Sequence, residues 1–301
     1  MGQVAEAPSK RIHSTTSRTA EMTCLSRAVS SFEPEPHYHS DDSIAARLIP
    51  AKLLPILHTR LGRTIFRVCL AKKGMYEYVI ARTKYIDAAF QRAMADGFDQ
   101  VVIFGAGFDS RALRFNTAVQ RTRVYELDVP ITQTAKIGRY RELGLMIPAN
   151  LTFVSVDFDK EAIAEKLAAN GFQAGQRTLF ILEGVLMYLL PASVKATFQT
   201  LEQIAGSKSR VVFDYVRSSV LLGENTLYGE AGVARSVSKV QEQWLFGFDP
   251  AQVEAFLADY GMSLSDHADA NELERRYFTG ANGRLVARVN GTHAIVTAER
   301  N

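Results

Sequence analysis

The sequence has few cysteines, no long apolar run and no signal segment, and each shortage argues against a class of protein. Its two cysteines, Cys24 and Cys69, supply neither a disulfide framework nor a zinc-binding set. The longest apolar stretch, residues 179–190, is too short to cross a bilayer and contains Glu183. The first residues contain no apolar segment of the kind that directs secretion. We therefore expect a cytoplasmic protein without a membrane partner.

Charge of one sign is also scarce, because the net charge is only +3 over 301 residues. This balance does not indicate a surface dedicated to nucleic acid or to anionic lipid. Acidic residues are interleaved among the basic ones, and the pattern predicts a solvated, mixed-charge surface around four arginines: Arg111, Arg114, Arg121 and Arg123. With 47% hydrophobic residues, the chain is long enough to bury a sizeable core.

The most informative stretch is VVIFGAGFDSRALRF, residues 101–115. A β-branched apolar run leads into Gly105-Ala106-Gly107 and then into a helical segment, which predicts strand, turn and helix. The first glycine allows a positive φ, and the second removes the Cβ that would keep a ligand away from the backbone. A dinucleotide fingerprint would need a third glycine where the chain has Ser110. The carboxylate of Asp109 beside it would repel a pyrophosphate.

Short apolar runs that end in a carboxylate recur after this turn. The acids are Asp128, Asp157, Glu183 and Asp214, with spacings of 29, 26 and 31 residues. Helical patterns fill the gaps: 130–142, 161–169 and 191–205. This alternation predicts βαβ units and a doubly wound parallel sheet. Because ligands bind beyond the carboxyl ends of such strands, we expect the glycine turn and the acids at one edge.

A helix is predicted from Tyr76 to Met94, where apolar residues recur at the spacing of one helical face and Gly97 follows. Arg82 lies on that apolar face. A guanidinium there needs an anion, because desolvating an unpaired charge costs several kcal/mol. The residues leave two interpretations open: an internal ion pair, or a bidentate contact with a ligand carboxylate.

The chain before this helix, residues 1–75, is predicted to be a flexible N-terminus and a helical cap. Its first 20 or so residues are polar and aperiodic. The cluster Asp41-Asp42-Ser43 is positioned to cap a short helix that contains Ile44, Leu48 and Ile49. His37 and His39 stand beside two acids, but such a cluster is more typical of a surface loop than of a metal site, so we expect no metal.

The remainder, residues 76–301, is predicted to be the main domain, with an inserted helical lid at 215–248. An apolar stripe inside the insertion predicts that the only tryptophan belongs to the core: Val233, Val237, Val240 and Trp244. Asp249 begins a further helix, followed by Pro250 at its first position. The runs LERRYF (273–278) and THAIVTAE (292–299) are predicted to be the last two strands.

A ligand that matches these groups has a ribose, a purine, a carboxylate and no phosphate near Asp109, and S-adenosylmethionine meets that description. Asp128 lies 23 residues after Gly105, close to the offset at which a carboxylate binds ribose hydroxyls. Asp157 would accept from the adenine amino group, with the backbone N–H of Phe158 on a ring nitrogen. On this interpretation Arg82 holds the methionyl carboxylate, and Glu183 lies near the ammonium and the sulfonium.

Several motifs together resemble the leucine carboxyl methyltransferase family, in its bacterial branch of small-molecule and polyketide O-methyltransferases. They are ARTKYID, VVIFGAGFDSRALRF, VYELDVPITQTAK, VDFDKE, LEGVLMYL, ERRYF and HAIVTA, and they extend from about residue 26 to 298. The resemblance implies a class I methyltransferase fold, Rossmann-like and α/β, with seven strands of which the last is antiparallel. It also implies cofactor contacts by these residues: Arg82, Gly105, Gly107, Asp128, Asp157, Phe158 and Glu183. Residues 37–50 and 215–248 depart from the family pattern and are expected to choose the substrate.

The expected reaction is in-line transfer of the methyl group to a carboxylate or hydroxyl oxygen of a small molecule. A carboxylate is already ionised near neutral pH, whereas a phenol needs a base. No residue is assigned as that base. Each of the candidates has a structural interpretation: Tyr188, His37, His39 and His293. Because a carboxylate acceptor needs no base, this favours carboxyl methylation.

Other functions stay open at this stage. A protein C-terminus or a tRNA base would be an alternative acceptor, although the modest charge speaks against a large RNA. A nicotinamide-dependent oxidoreductase would need the third glycine that Ser110 replaces. A protein that binds the cofactor without turnover would carry the same pocket.

Overall fold

The computed structural model describes residues 18–71, 73–116, 121–158, 160–237 and 244–301. Of the 20 or so residues predicted to be flexible, 1–17 lie outside the described part, and the last few belong to a helix that begins at Arg18. Val240 and the side chains of Cys69 and Val237 also lie outside the described part. The apolar stripe predicted in the insertion and the interpretation of the two cysteines depend on these residues.

A seven-stranded sheet in the order β3-β2-β1-β4-β5-β7-β6 forms the centre of the fold. Strands β1 to β5 are parallel, and β7 runs antiparallel to both of its neighbours. The strands are β1 Gln100–Phe104, β2 Arg123–Asp128, β3 Leu151–Ser155, β4 Thr178–Leu182, β5 Arg210–Val216, β6 Met262–Ala268 and β7 His293–Arg300. The predicted doubly wound α/β sheet with an antiparallel last strand is confirmed.

Helices cover both faces of this sheet. They are α1 Arg18–Ser31, α2 Ser43–Leu48, α3 Leu54–His58, α4 Arg60–Ile65, α5 Met75–Ala95, α6 Arg111–Arg114, α7 Pro130–Glu142, α8 Ile163–Ala169, α9 Pro191–Ile204, α10 Ser218–Leu221, α11 Glu230–Val237, α12 Val253–Ala258 and α13 Ala270–Tyr277. Alternate residues of β1 enter different cores: Val101 and Ile103 pack on the side of α1, α2 and α5, while Val102 and Phe104 pack on the side of α8, α9 and α12. Strands buried on both faces explain the continuous apolar runs in the sequence.

Two helices agree closely with their predictions, because local signals define their ends. Helix α7 begins at Pro130, whose fixed φ suits the first helical position, and ends at Glu142 as expected. Helix α5 extends the predicted span by one residue at each end, and Gly97 follows it at φ +72°.

The predicted strand LERRYF is wrong, because these residues lie in α13 and the turn after it. The Asp269 carboxylate accepts from the N–H of Glu272 and caps the helix. Glu272 then pairs with Arg275 and Arg276, three and four residues later, an arrangement that only a helix allows. The outer neighbour of β7 is instead β6, an edge strand whose mostly polar sequence hid it.

The cap and the insertion have the helical character expected of them. The Asp42 carboxylate accepts from the N–H of Ala45 and caps α2, as predicted. Apolar side chains of α1 and α2 belong to the same core as β1. The half-buried Trp244 packs against Met187, Val216 and Val220. The boundary at residue 75 and the role of the insertion as a lid stay predictions.

Among the described residues, no helix combines the length and apolar character that a bilayer crossing requires.

Candidate functional site

The turn after β1 requires glycine at two positions. Gly105 and Gly107 have φ values of +55° and +49°, which L side chains rarely adopt. A Cβ on Gly105 would lie 2.8 Å from Cγ2 of Val185, and one on Gly107 would lie 3.2 Å from Cβ of Ala20. The turn is therefore compact on both sides, and its backbone stays accessible to a ligand.

One cavity lies beyond the carboxyl ends of β1, β2 and β4. All the residues that the sequence predicted to bind a cofactor line it: Arg82, Gly105, Ala106, Gly107, Asp128, Asp157, Phe158 and Glu183. The structure thus brings together residues from α5 and from the ends of four strands, as the rule for parallel sheets anticipates.

Asp128, the last residue of β2, ties that strand to the glycine turn. Its Oδ2 accepts from the N–H of Gly107 at 2.5 Å, and its Oδ1 accepts from the N–H of Val129 at 2.7 Å. Burial raises the pKa of Asp128, and the two N–H groups oppose this effect. Because a carboxylate has about four acceptor positions, both oxygens can still accept from vicinal hydroxyls.

Arg82 is held by two carboxylates. Its Nη1 donates to Oδ2 of Asp214 at 2.6 Å, and its Nε lies 3.0 Å from Oε1 of Glu183. The internal ion pair considered from the sequence is therefore present. The same guanidinium lines the cavity, so it can still donate to a ligand there.

The prediction that all four acids follow their strands is wrong for Asp214, which lies inside β5 and is fully buried. Its Oδ1 accepts from the N–H of Gly184 at 2.5 Å, and its Oδ2 also accepts from the hydroxyl of Tyr78. Burial acts to raise the pKa of Asp214, but the Arg82 guanidinium and the Gly184 N–H outweigh it, and the pKa is lowered. Asp214 therefore positions the Arg82 guanidinium from within the sheet.

Two of the four arginines assigned to the surface are buried, which corrects that prediction. The Arg111 and Arg114 side chains are 0% and 3% exposed, whereas Arg121 and Arg123 are exposed as expected. Arg111 pairs with Asp87 at 2.8 Å, with Glu183 at 2.7 Å and with Asp109. Sequence reasoning missed them because their partners lie on other elements.

Asp109 lines the cavity and is paired with Arg111. Burial would raise its pKa, but the Arg111 guanidinium more than compensates and lowers the pKa of Asp109 to about 2. The carboxylate is therefore ionised at neutral pH, as the argument against a pyrophosphate at this turn requires.

Asp157 and Phe158 follow β3 at the far end of the cavity. Asp157 Oδ2 lies 3.0 Å from Nζ of Lys160, and the backbone N–H of Asp157 donates to Glu161. The half-buried ring of Phe158 lies 6.4 Å from that of Phe104. An aromatic ring and a carboxylate side by side suit a planar, amino-bearing heterocycle.

Sequence reasoning missed the contribution of α1, because its first residues fall at the end of the segment expected to be flexible. Thr19, Ala20, Thr23 and Arg27 line the cavity. Arg27 Nη2 donates to the carbonyl of Phe108 at 2.7 Å, and its Nη1 lies 3.0 Å from Asp42. These contacts fix α1 over the glycine turn. The only signal was a weak helical pattern after Ala20.

The cap histidines lie outside the cavity lining. His37 Nδ1 lies 2.9 Å from the carbonyl of Tyr277, and His39 contacts the Glu33 carbonyl and the Asp41 carboxylate. In the described part of the chain, no group of three or more metal-binding side chains is close enough to hold an ion.

The doubly wound sheet and the acidic cavity beyond its glycine turn define a class I methyltransferase that depends on S-adenosyl-L-methionine, and comparison with known proteins agrees. The sequence model for leucine carboxyl methyltransferase matches residues 20–202. A candidate S-adenosyl-L-methionine-dependent methyltransferase of Mycolicibacterium smegmatis is 30% identical over 252 residues, 82% of each chain. One from Mycobacteroides abscessus is 32% identical over 207 residues, 66% of each chain. The chain belongs to the leucine carboxyl methyltransferase family.

A solved structure of a candidate methyltransferase from Thermobifida fusca has the same fold. It superposes with a TM-score of 0.59, and the match covers 99% of both chains at 14% identity. At this identity the likeness concerns the architecture alone.

Proposed function

We propose that the cavity binds S-adenosylmethionine in the orientation expected from the sequence. Asp128 accepts from the ribose hydroxyls, Asp157 and Phe158 hold the adenine, and Arg82 binds the methionyl carboxylate beside Glu183. The observation that carries this proposal is that side chains chosen from the sequence for these roles line a single cavity. The guanidinium of Arg82, which lines the same cavity, supports the contact with a carboxylate.

The charges around the methionine end support the same cofactor. In the part of the chain that the structure describes, the connected ion pairs contain four arginines and five carboxylates: Arg27, Arg82, Arg111, Arg114, Asp42, Asp87, Asp109, Glu183 and Asp214. The network therefore has an excess of one negative charge. S-adenosylmethionine carries one carboxylate, one ammonium and one sulfonium, so its net positive charge complements that excess.

The reaction that this site supports is methylation of an oxygen on a small molecule. The bound sulfonium supplies an activated methyl group, so the protein mainly has to align the acceptor and exclude water. Thr19, Thr23 and Tyr188 line the cavity, and the Tyr188 hydroxyl donates to Thr19 at 3.3 Å. Hydroxyls can donate to a carboxylate acceptor, which needs no base, and we therefore favour a carboxylate over a hydroxyl.

His293 is the remaining candidate base for a hydroxyl acceptor. It begins β7, opposite Val216, and its ring stacks on Tyr78, which donates to Asp214. The Thr292 hydroxyl donates to Asn290, so it accepts from His293 Nδ1–H and leaves the lone pair on Nε2. His293 does not line the cavity, whereas Tyr188 does. This difference favours the carboxylate acceptor further.

Two experiments test the proposal in sequence. Isothermal titration calorimetry should give binding heat with S-adenosylhomocysteine and none with NADH, and the reverse result would favour the oxidoreductase alternative. Incubation with S-adenosylmethionine and a panel of small carboxylic acids and phenols, read by mass spectrometry, should then show an acid that gains one methylene mass. Transfer only to a peptide C-terminus or to tRNA would replace the small-molecule acceptor, and binding without any transfer would favour a non-catalytic role.

A further inference from the structure

The modest net charge of the chain hides a strongly basic segment. Residues 43–76 contain seven lysines and arginines and no aspartate or glutamate. Because the whole chain carries +3, this +7 segment leaves −4 for the rest. The segment lies in the cap, outside the cavity lining described above. Such an asymmetry is a physical argument about partners rather than about fold.

Large apolar side chains are exposed in the same segment. Leu61, Ile65 and Val68 are 70%, 47% and 70% exposed, and their spacing of four and three residues places them on one side of α4 and the helical turn after it. Ile56 of α3 is 53% exposed. A Cβ on Gly62 would lie 2.7 Å from Cγ2 of Ile56, so α3 packs closely against α4 and brings Ile56 beside this row. We call residues 51–68 the basic hook.

The basic hook is held in shape from its inner side. The Thr59 hydroxyl accepts from the N–H of Gly62 at 3.0 Å and caps α4. Arg63 donates through Nη1 to the carbonyls of Leu57 and His58, and its Nε donates to Glu33. Leu57 and Phe66 are buried in the core. The outer apolar row is therefore presented by a fixed backbone instead of by a frayed end.

Basic side chains flank the apolar row. Lys52 and Arg60 within the hook and Lys73 after it are exposed. Arg67 is half-buried, and its guanidinium lies 4.7 Å from the ring centre of Tyr38. The segment thus combines an exposed apolar row with cations, and it contains no acid. This pattern is typical of an element that lies in the interface of a negatively charged bilayer.

We propose that the basic hook docks on the surface of membranes that contain anionic lipid. The four apolar side chains enter the headgroup region, and the flanking lysines and arginines pair with lipid phosphates. An anionic bilayer suits both kinds of side chain, because its interior accepts the apolar groups and its charged headgroups pair with the basic ones. The proposal concerns attachment, and it stands independently of the acceptor of the methyl group.

Vesicle flotation tests this proposal with the full-length protein. We expect partition onto vesicles of phosphatidylcholine with about 30 mol% phosphatidylglycerol, weak partition onto pure phosphatidylcholine, and release by about 0.5 M NaCl. The double variant Leu61→Glu/Val68→Glu should lower the partition coefficient about tenfold or more. Met146→Glu is the matched control, because Met146 is 90% exposed and lies outside the hook, and it should bind like the wild type.

Three results would overturn the proposal: no partition onto the anionic vesicles, equal partition onto the neutral ones, or an equal loss in Met146→Glu. A fourth, in which Leu61→Glu/Val68→Glu changes only the sedimentation coefficient of the free protein, would assign the surface to a second copy of the chain. Unchanged binding of S-adenosylhomocysteine by the double variant confirms that it folds. Loss of vesicle binding with cofactor binding intact separates this proposal from the proposed function.

Discussion

Arg82 and Asp214 form a buried ion pair with a 2.6 Å contact between α5 and β5, and their side chains are 8% and 0% exposed. The pair connects the helix that carries the proposed cofactor-binding arginine to the central sheet. Because Asp214 also accepts from the N–H of Gly184, it aligns Arg82 with the loop that carries Glu183. We therefore expect stability and cofactor binding to depend on the same carboxylate.

Asp214→Asn should lower the free energy of unfolding by about 3–5 kcal/mol, since it leaves a buried guanidinium without its nearest counter-charge. Urea denaturation followed by circular dichroism measures this change. Lys166→Met is the matched control: it breaks the 2.6 Å pair with Glu161, which is more than a third exposed on both sides. That variant should have nearly the same free energy of unfolding as the wild type, because water screens an exposed pair. Equal stabilities of the two variants would contradict the structural role of Asp214.

Arg82→Ala and Asp128→Ala should each weaken binding of S-adenosylhomocysteine about tenfold or more. Each removes a charged hydrogen bond worth about 1.5–3 kcal/mol, and tenfold corresponds to about 1.4 kcal/mol. Isothermal titration calorimetry measures the dissociation constants. Asp259→Ala, which changes an exposed acid at the end of α12, should bind like the wild type. Wild-type affinity in both cavity variants would remove the basis of the cofactor assignment.

Gly105→Ala should reduce cofactor affinity and stability together, because the new Cβ meets Val185 at 2.8 Å and the residue must keep a φ of +55°. Gly138→Ala provides the control, since Gly138 lies in α7 with open space around its Cβ position. The control should stabilise the protein by about 0.5–1 kcal/mol. The double variant Gly105→Ala/Val185→Ala relieves the contact but not the strain. If it fully restored binding, backbone conformation would not be the reason for the glycine.

Local chemistry explains which features could be predicted from the sequence. The glycine turn, the proline at the start of α7 and the Asp42 cap depend on residues within a few positions of each other, so their signals survive without knowledge of the fold. The ion pairs of Arg111 with Asp87 and Glu183 could not be predicted in this way, because these partners lie 24 and 72 residues away in the chain. An arginine on a short helix is typical of a surface until its distant partners are known.

The same reasoning explains the error at the C-terminus. In LERRYF the aromatic pair at the end of the run favours a strand, whereas the Asp269 cap and the pairs of Glu272 with the following arginines favour a helix. The helical contacts are local, and they were present in the sequence. They outweigh the strand preference of the aromatic residues, and the edge beside β7 is already occupied by β6.

The stability of the protein should fall between about pH 6.5 and pH 4, in part because of His293. Burial lowers the pKa of His293 to about 4; the Arg82 guanidinium adds to this effect, while Asp214 opposes it. In the unfolded chain a histidine titrates near pH 6.5, so over this window the unfolded state binds a proton that the folded state does not. Acidification should therefore destabilise the folded protein. His293 lowers the free energy of unfolding by about 3 kcal/mol at most.

Urea denaturation of the wild type and of His293→Gln at about pH 7 and pH 5 checks this prediction. His293→Gln keeps a polar group beside Thr292, whose hydroxyl now contacts Nδ1 at 2.7 Å, and it removes the titration. We expect the pH-dependent loss of stability to become smaller by about 2 kcal/mol in this variant, since pH 5 lies about 1.5 units below the unfolded pKa. His39→Gln, a change in the cap at a side chain that is 42% exposed, should keep the wild-type loss. An unchanged pH dependence in His293→Gln would mean that other groups govern acid unfolding, and that His293 is not held neutral between Tyr78 and Trp244.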